Sequence, residues 1–170
     1  MRAFVLILTL LFAPPAAAQE EYEVREYGGI LRACYEDAEG SDAKSQCLGA
    51  MSTACMEREE GGYTTLGMSR CAYGESLVWD EFLNAEYRET RRFLTSLDEE
   101  DKEYFPEFAV RVEALLKAQR AWIAYRDASC ELDYALWGAG SMRHISGTQC
   151  AMETVSARTI ELIRMREVFQ

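Results

Sequence analysis

Histidine is almost missing from this chain. His144 is the only one in 170 residues, and no Cys-x-x-Cys pair occurs. A histidine–cysteine metal site has no ligand set to draw on, and no cofactor is implied. No Ser-His-Asp set or phosphate loop is present, so the chain reads as a non-enzyme. Period-two alternation, internal repeats and low-complexity tracts are lacking too, which argues against a sheet or a solenoid. Beyond residue 18 no apolar run is long enough to cross a bilayer. Basic side chains are few, 18 Lys+Arg against 29 Asp+Glu. Such a balance, without a basic patch, argues against nucleic acid and anionic lipid as partners.

The N-terminus carries an address. Arg2 precedes an apolar run, and Ala16-Ala17-Ala18 makes a small-residue cleavage site. Residues 1–18 therefore read as a secretory signal peptide. The first cysteine is Cys34, well past the cut, so no lipoprotein anchor is expected. The mature chain is expected to be periplasmic or secreted, with a flexible acidic arm over 19–29 and one helical domain over 30–170. Losing Arg2 leaves 17 basic against 29 acidic side chains, a net charge of −12. That charge favours solubility and attracts a basic partner.

What remains patterns as helix. Residues 107–137 place Phe108, Val112, Leu115, Gln119, Trp122, Arg126, Cys130 and Trp137 on one side, flanked by Leu116 and Ile123. An inward Arg126 needs an acid, because a buried guanidinium is costly alone. A second long helix, capped by Thr64 or Thr65 and reaching about Leu97, turns Glu75 and Glu86 inward beside Met68, Cys71, Val78, Trp79, Phe82, Phe93 and Leu97. Either Glu75 pairs with Arg126, or it sits at an edge and reaches water. Arg126 and Arg158 are read as sharing Glu75 and Glu86. Shorter helices are expected over 30–38 and 43–58, the latter capped by Ser41 or Asp42, and Pro106 opens the helix at 107. The last helix is expected over 148–168, with Ala151, Val155, Thr159, Leu162 and Phe169 facing the core. Residues 138–147 are read as a flexible glycine loop carrying Ser141, Arg143 and His144. The fold class is all-α: a disulfide-stapled bundle of about five helices, three of them long.

Six cysteines in an exported chain imply three bridges. Cys47 and Cys55 share one expected helix about 12 Å apart, too far to join. Bridged residues of a helix hairpin lie symmetrically about its turn. Cys34–Cys47 centres on Gly40-Ser41, Cys55–Cys71 on Tyr63 beside Gly61-Gly62, and Cys130–Cys150 on Gly140. These three pairs are the expected connectivity.

The run AQRAWIAYRDASC at 118–130, followed by Cys150, Thr154, Arg158 and Leu162, resembles the lysozyme inhibitor LprI-like N-terminal domain family. The pieces TTLGMSRCAYGESLVWD and LNAEY, between Thr64 and Tyr87, resemble it as well, so the likeness spans Cys47 to Met165. The resemblance implies a helical, exported domain, and one member that inhibits lysozyme. This chain departs from that member type in lacking the lipoprotein cysteine.

Two functions from different classes follow. The first is a protein-binding domain for a basic protein such as lysozyme, with Ser141, Arg143 and His144 offered by the 138–147 loop and Arg143 pairing with a cleft carboxylate. The second is a periplasmic domain for a small anionic ligand or cell-wall fragment, with a pocket around Arg126 built from Arg158, Glu75, Gln119 and Asp127. For those polar residues the plainer reading is a buried network that fixes helix register. A purely structural helical domain with an envelope partner is the remaining reading.

Overall fold

Thirty-seven residues, Thr65–Asp101, form one unbroken helix about which the rest is arranged. The computed structural model describes residues 26–169; the leader and most of the acidic arm fall outside the described residues. In order, the elements are α1 (Gly28–Asp37), α2 (Gly40–Ser45), α3 (Ala50–Arg58), α4 (Thr65–Asp101), a 3-10 turn (Pro106–Phe108), α5 (Arg111–Ala135) and α6 (Met142–Glu167). The fold is all-α, and among the described residues the long helices are α4, α5 and α6. No described helix is long and apolar enough to cross a membrane.

Helix α4 starts where the Thr64 hydroxyl accepts the Gly67 N–H at 3.1 Å, and no proline interrupts it afterwards. Its buried face, Cys71, Val78, Trp79, Leu83 and Leu94, packs chiefly against Met152, Val155, Leu162 and Ile163 of α6. Helix α1 closes one side. Its Tyr35 stacks on Phe82 at 4.1 Å and meets Trp79 edge-on at 5.8 Å. All three expected disulfides are present: Cys34–Cys47, Cys55–Cys71 and Cys130–Cys150, with Cα separations of 5.8, 5.7 and 5.4 Å. Each contributes roughly 2–4 kcal/mol by restricting the unfolded chain.

The stripe on 107–137 does not lead into the core. In α5 only Leu115 is buried; Val112, Gln119, Trp122 and Cys130 are half-buried, and Leu116 and Ile123 are exposed. The helix begins at Arg111 and ends at Ala135, so Phe108 and Trp137 lie beyond its ends and are exposed. Pro106 opens the separate 3-10 turn instead of the helix. A helical wheel gives a face but not a depth, and α5 lies against the outside of the α4–α6 pair.

The segment expected as one helix over 43–58 is broken. Gly49 has φ +89, the left-handed region that favours glycine, and it separates α2 from α3. The new helix start has no capping side chain of its own. Glu75, fully buried on α4, supplies the cap: its two oxygens accept the Gly49 and Ser52 N–H groups, each at 2.7 Å. The same carboxylate accepts the Trp79 indole N–H at 3.0 Å. Two other helix starts are treated alike. Asp98 of α4 accepts the Arg111 and Val112 N–H groups at 3.1 and 3.0 Å, at the start of α5. Glu167 of α6 accepts the Ser41 N–H at 2.8 Å and the Ser41 hydroxyl at 2.6 Å, at the start of α2. Ser41 is thus inside α2 and donates, where the sequence suggested a cap. Each acid neutralises orphan N–H groups and the positive end of a helix dipole.

Burial by itself would raise the Asp98 carboxyl; the Val112 and Arg111 N–H groups and the Arg111 guanidinium outweigh it and hold the group below its ordinary value. Glu167 is held low by its Ser41 hydroxyl bond and then by the Ser41 N–H. Both pKa values are depressed on folding. Their contribution is therefore present above the unfolded carboxylate values, about 4, and is lost as pH falls through the lower folded values. Unfolding midpoints should stay level down to about pH 4.5 and drop below it. Asp98→Asn should flatten that acid limb in a urea titration.

Candidate functional site

The polar residues singled out in the sequence do not form one cluster. Glu75 is consumed by the start of α3, and Arg126 is not its partner. The Arg126 side chain is 26% exposed and binds its own neighbour Asp127, Nη2 to Oδ1 at 2.7 Å and Nε to Oδ1 at 2.8 Å. Its guanidinium lies 5.2 Å from the Trp122 ring. Because α5 sits on the periphery, solvent and an adjacent acid stabilise this cation without any buried partner.

Glu86 does meet a cation, but from a different position. Arg166, two turns beyond Arg158, binds it, while the Tyr35 hydroxyl donates to its other oxygen at 2.9 Å. Burial, then the Glu86 charge, pushes the Tyr35 phenol far above its ordinary value. Arg158 and Gln119 are brought together. Arg158 is 5% exposed; its Nε donates to Gln119 Oε1 at 3.0 Å, and its Nη1 to Glu161 Oε2 at 2.7 Å. Arg158 and Glu161 lie at the wall of a groove of about 370 Å³ between α4, α5 and α6, which Gln119 does not line. Arg126 does not line that groove.

The third group lies at the far end of α5. Helix α6 begins at Met142, so more than half of the expected 138–147 loop is helical and only a tight turn joins α5 to α6. Gly138, at φ +52, lets the chain reverse. Ser141 and His144 are exposed, and Arg143 is half-buried. Arg143 Nη1 donates to the Gly138 carbonyl at 3.2 Å, its Nε approaches His144 Nε2 at 3.4 Å, and its guanidinium lies 5.5 Å from the Tyr134 ring. Tyr134 meets His144 edge-on at 5.5 Å. Gly147 makes room for this packing, since a Cβ there would stand 3.3 Å from Tyr134 Cδ2. Below the turn, Cys130–Cys150 ties the two helices together.

Around Arg143 the turn exposes apolar side chains. Leu136 is 73% and Trp137 49% exposed, and Leu132 and Met142 are exposed beside them. Trp137 leaves the apolar stripe because the helix stops two residues before it, at Ala135. The available signal was the adjacent Leu136-Trp137 pair running directly into Gly138. An exposed cluster of this kind, with an aromatic and an arginine on a rigid base, has the composition of protein-binding surfaces.

Residues 55–162, well over half the chain, match the lysozyme inhibitor LprI family. The chain belongs to this family. An uncharacterized protein of Rhizobium meliloti (strain 1021) is 30% identical over 138 residues, covering 81% of this chain and 91% of that protein. No solved structure matches. The family match runs from Cys55 at the start of the second disulfide to Leu162 of α6. It includes α4, α5, the α5–α6 turn and the third disulfide. The three bridges are consistent with an extracytoplasmic location.

Proposed function

We propose that the mature chain is an exported, non-catalytic protein-binding domain that inhibits a lysozyme by presenting the α5–α6 turn. The observation that carries this reading is membership of the LprI family over 55–162. The geometry supports the choice of surface. Trp137, Leu136 and Met142 supply apolar contact area, and Arg143 supplies a cation to face the carboxylates of a lysozyme cleft. The disulfide at the base limits the ordering entropy lost on docking. The net charge of −12 steers a basic enzyme toward the domain, so the association rate should fall with salt. Ser141 and His144 flank Arg143 and belong to the same surface.

The test is a lytic turbidity assay with purified mature protein at low and moderate salt. Inhibition at micromolar concentration is expected. Arg143→Ala and Trp137→Ala should each weaken it by about tenfold or more, while leaving the unfolding midpoint nearly unchanged. No inhibition at either salt concentration would contradict the reading. Nothing in the geometry favours a small-anion site at Arg126, whose guanidinium is already matched by Asp127.

A further inference from the structure

Residues 102–108 are exposed without a break, and three of these seven are aromatic. Tyr104, Phe105, Phe108 and the following Val110 are each at least half exposed, and none of the four packs on the core. The connection is nonetheless braced. Arg111 bridges Asp98 and Asp101, and its Nη1 donates to the Leu97 carbonyl at 3.3 Å. The Phe105 N–H donates to the Asp101 carbonyl at 2.7 Å, and the Phe108 N–H to the Phe105 carbonyl at 2.9 Å. Pro106 fixes the backbone between the two phenylalanines, whose rings stand 6.4 Å apart. Apolar side chains that add nothing to the core, held in water on a rigid base, mark a surface for a partner. The charges select which partner. Asp98 and Asp101 are spent on Arg111. Glu99, Glu100, Glu103 and Glu107 are all exposed, and Lys102 is the one cation between 99 and 107. Two copies meeting here would set acid against acid, and an anionic membrane would be repelled in the same way.

We infer that the 102–110 connection docks a cationic protein, with Phe105 and Phe108 entering an apolar pocket of that partner and Glu103 and Glu107 facing basic groups beside it. Tyr104 extends the apolar surface and keeps a hydroxyl for the polar rim. Roughly 36 Å of α5 separates this surface from the α5–α6 turn. It stands whether or not the turn inhibits a lysozyme.

The test uses the full mature chain with backbone amides labelled for NMR. An amphipathic leucine–lysine helical peptide is the cationic probe, and its leucine–glutamate counterpart is the control of opposite charge. The cationic peptide should shift the amides of 102–110 saturably, with a dissociation constant of about 100 μM or below at low salt. Binding should weaken as salt rises. The acidic peptide should not bind. Phe105→Ser combined with Phe108→Ser should weaken binding by about tenfold or more at an unchanged unfolding midpoint. Glu103→Lys combined with Glu107→Lys should do the same. Shifts spread over the acidic surface or centred on the α5–α6 turn would overturn the inference, as would equal binding of both peptides or unchanged binding in the serine variant. Self-association of the parent that the serine variant abolishes would assign the surface to a second copy. Binding to phosphatidylcholine vesicles that the serine variant loses would assign it to a membrane. Either result overturns the inference too. Should the serine variant fail to fold, the shift map and the peptide pair still decide it.

Discussion

Replacing Glu75 by alanine is expected to lower the unfolding free energy by about 3–5 kcal/mol. Three donors lose their acceptor together: the Gly49 and Ser52 N–H groups and the Trp79 indole. Loss of a helix cap costs about 1–2 kcal/mol, and each buried donor left unmet adds about 1–3 kcal/mol before relaxation. Some rescue by water at the partly exposed Gly49 keeps the total below the plain sum. For a domain of this size the thermal midpoint should fall by about 10 °C. Glu75→Gln keeps one good acceptor oxygen and should cost about half as much. Arg126→Ala is the matched control. Its cation meets a neighbouring exposed acid and the half-buried Trp122 ring at the periphery of the fold, so the change should stay within about 1 kcal/mol. Urea unfolding with a constant slope would measure all three. Equal losses for Glu75→Ala and Arg126→Ala would instead indicate a pair between them.

Gly67→Ala should be nearly as damaging, for a steric reason. A Cβ at Gly67 would stand 2.2 Å from the Gly61 carbonyl oxygen and 2.6 Å from that of Gly62. Both obstacles are backbone, so no side-chain rotation relieves them. The turn cannot simply back away. Cys55–Cys71 holds α3 to α4 on either side of it, and a Cβ at Gly62 would itself strike the Met56 carbonyl oxygen at 2.2 Å. Overpacking of this kind costs about 1–3 kcal/mol where neighbours yield and more where they do not. We expect about 3 kcal/mol or more, read by urea unfolding of the oxidised protein. Gly29→Ala, where nothing lies within 4 Å, should be neutral or slightly stabilising. A Gly67→Ala protein as stable as the parent would show that the turn does not pack on α4 in this way.

The disulfide framework was legible because hairpin symmetry depends only on spacing and glycine. The inward direction of Glu75 and Glu86 was legible too, because a wheel over a long regular helix gives direction reliably. Their partners were not. Glu86 is met by Arg166, two turns past the arginine the pattern suggested. Glu75 is met by backbone N–H groups that exist as free donors only because Gly49 breaks the preceding helix. A carboxylate turned inward calls for donors in general, and a helix start supplies them as well as a guanidinium does. Arg126 misled for the converse reason: its position on a stripe says nothing about how deeply α5 is covered. The candidate surface was partly legible. Arg143 and His144 were found as polar residues of the turn, whereas Trp137 emerged only once α5 was seen to stop at Ala135. Ser141 stands at the N-cap of α6, but its side chain makes no capping hydrogen bond.

Amide hydrogen exchange on the parent and on Glu75→Gln reaches the central claim most directly, namely that acids on α4 and α6 hold the starts of α2, α3 and α5. Protection should drop across α3, beginning at Ser52, while the amides around Arg126 in α5 exchange as before. Unaltered protection in α3, or a loss centred on α5, would contradict the account.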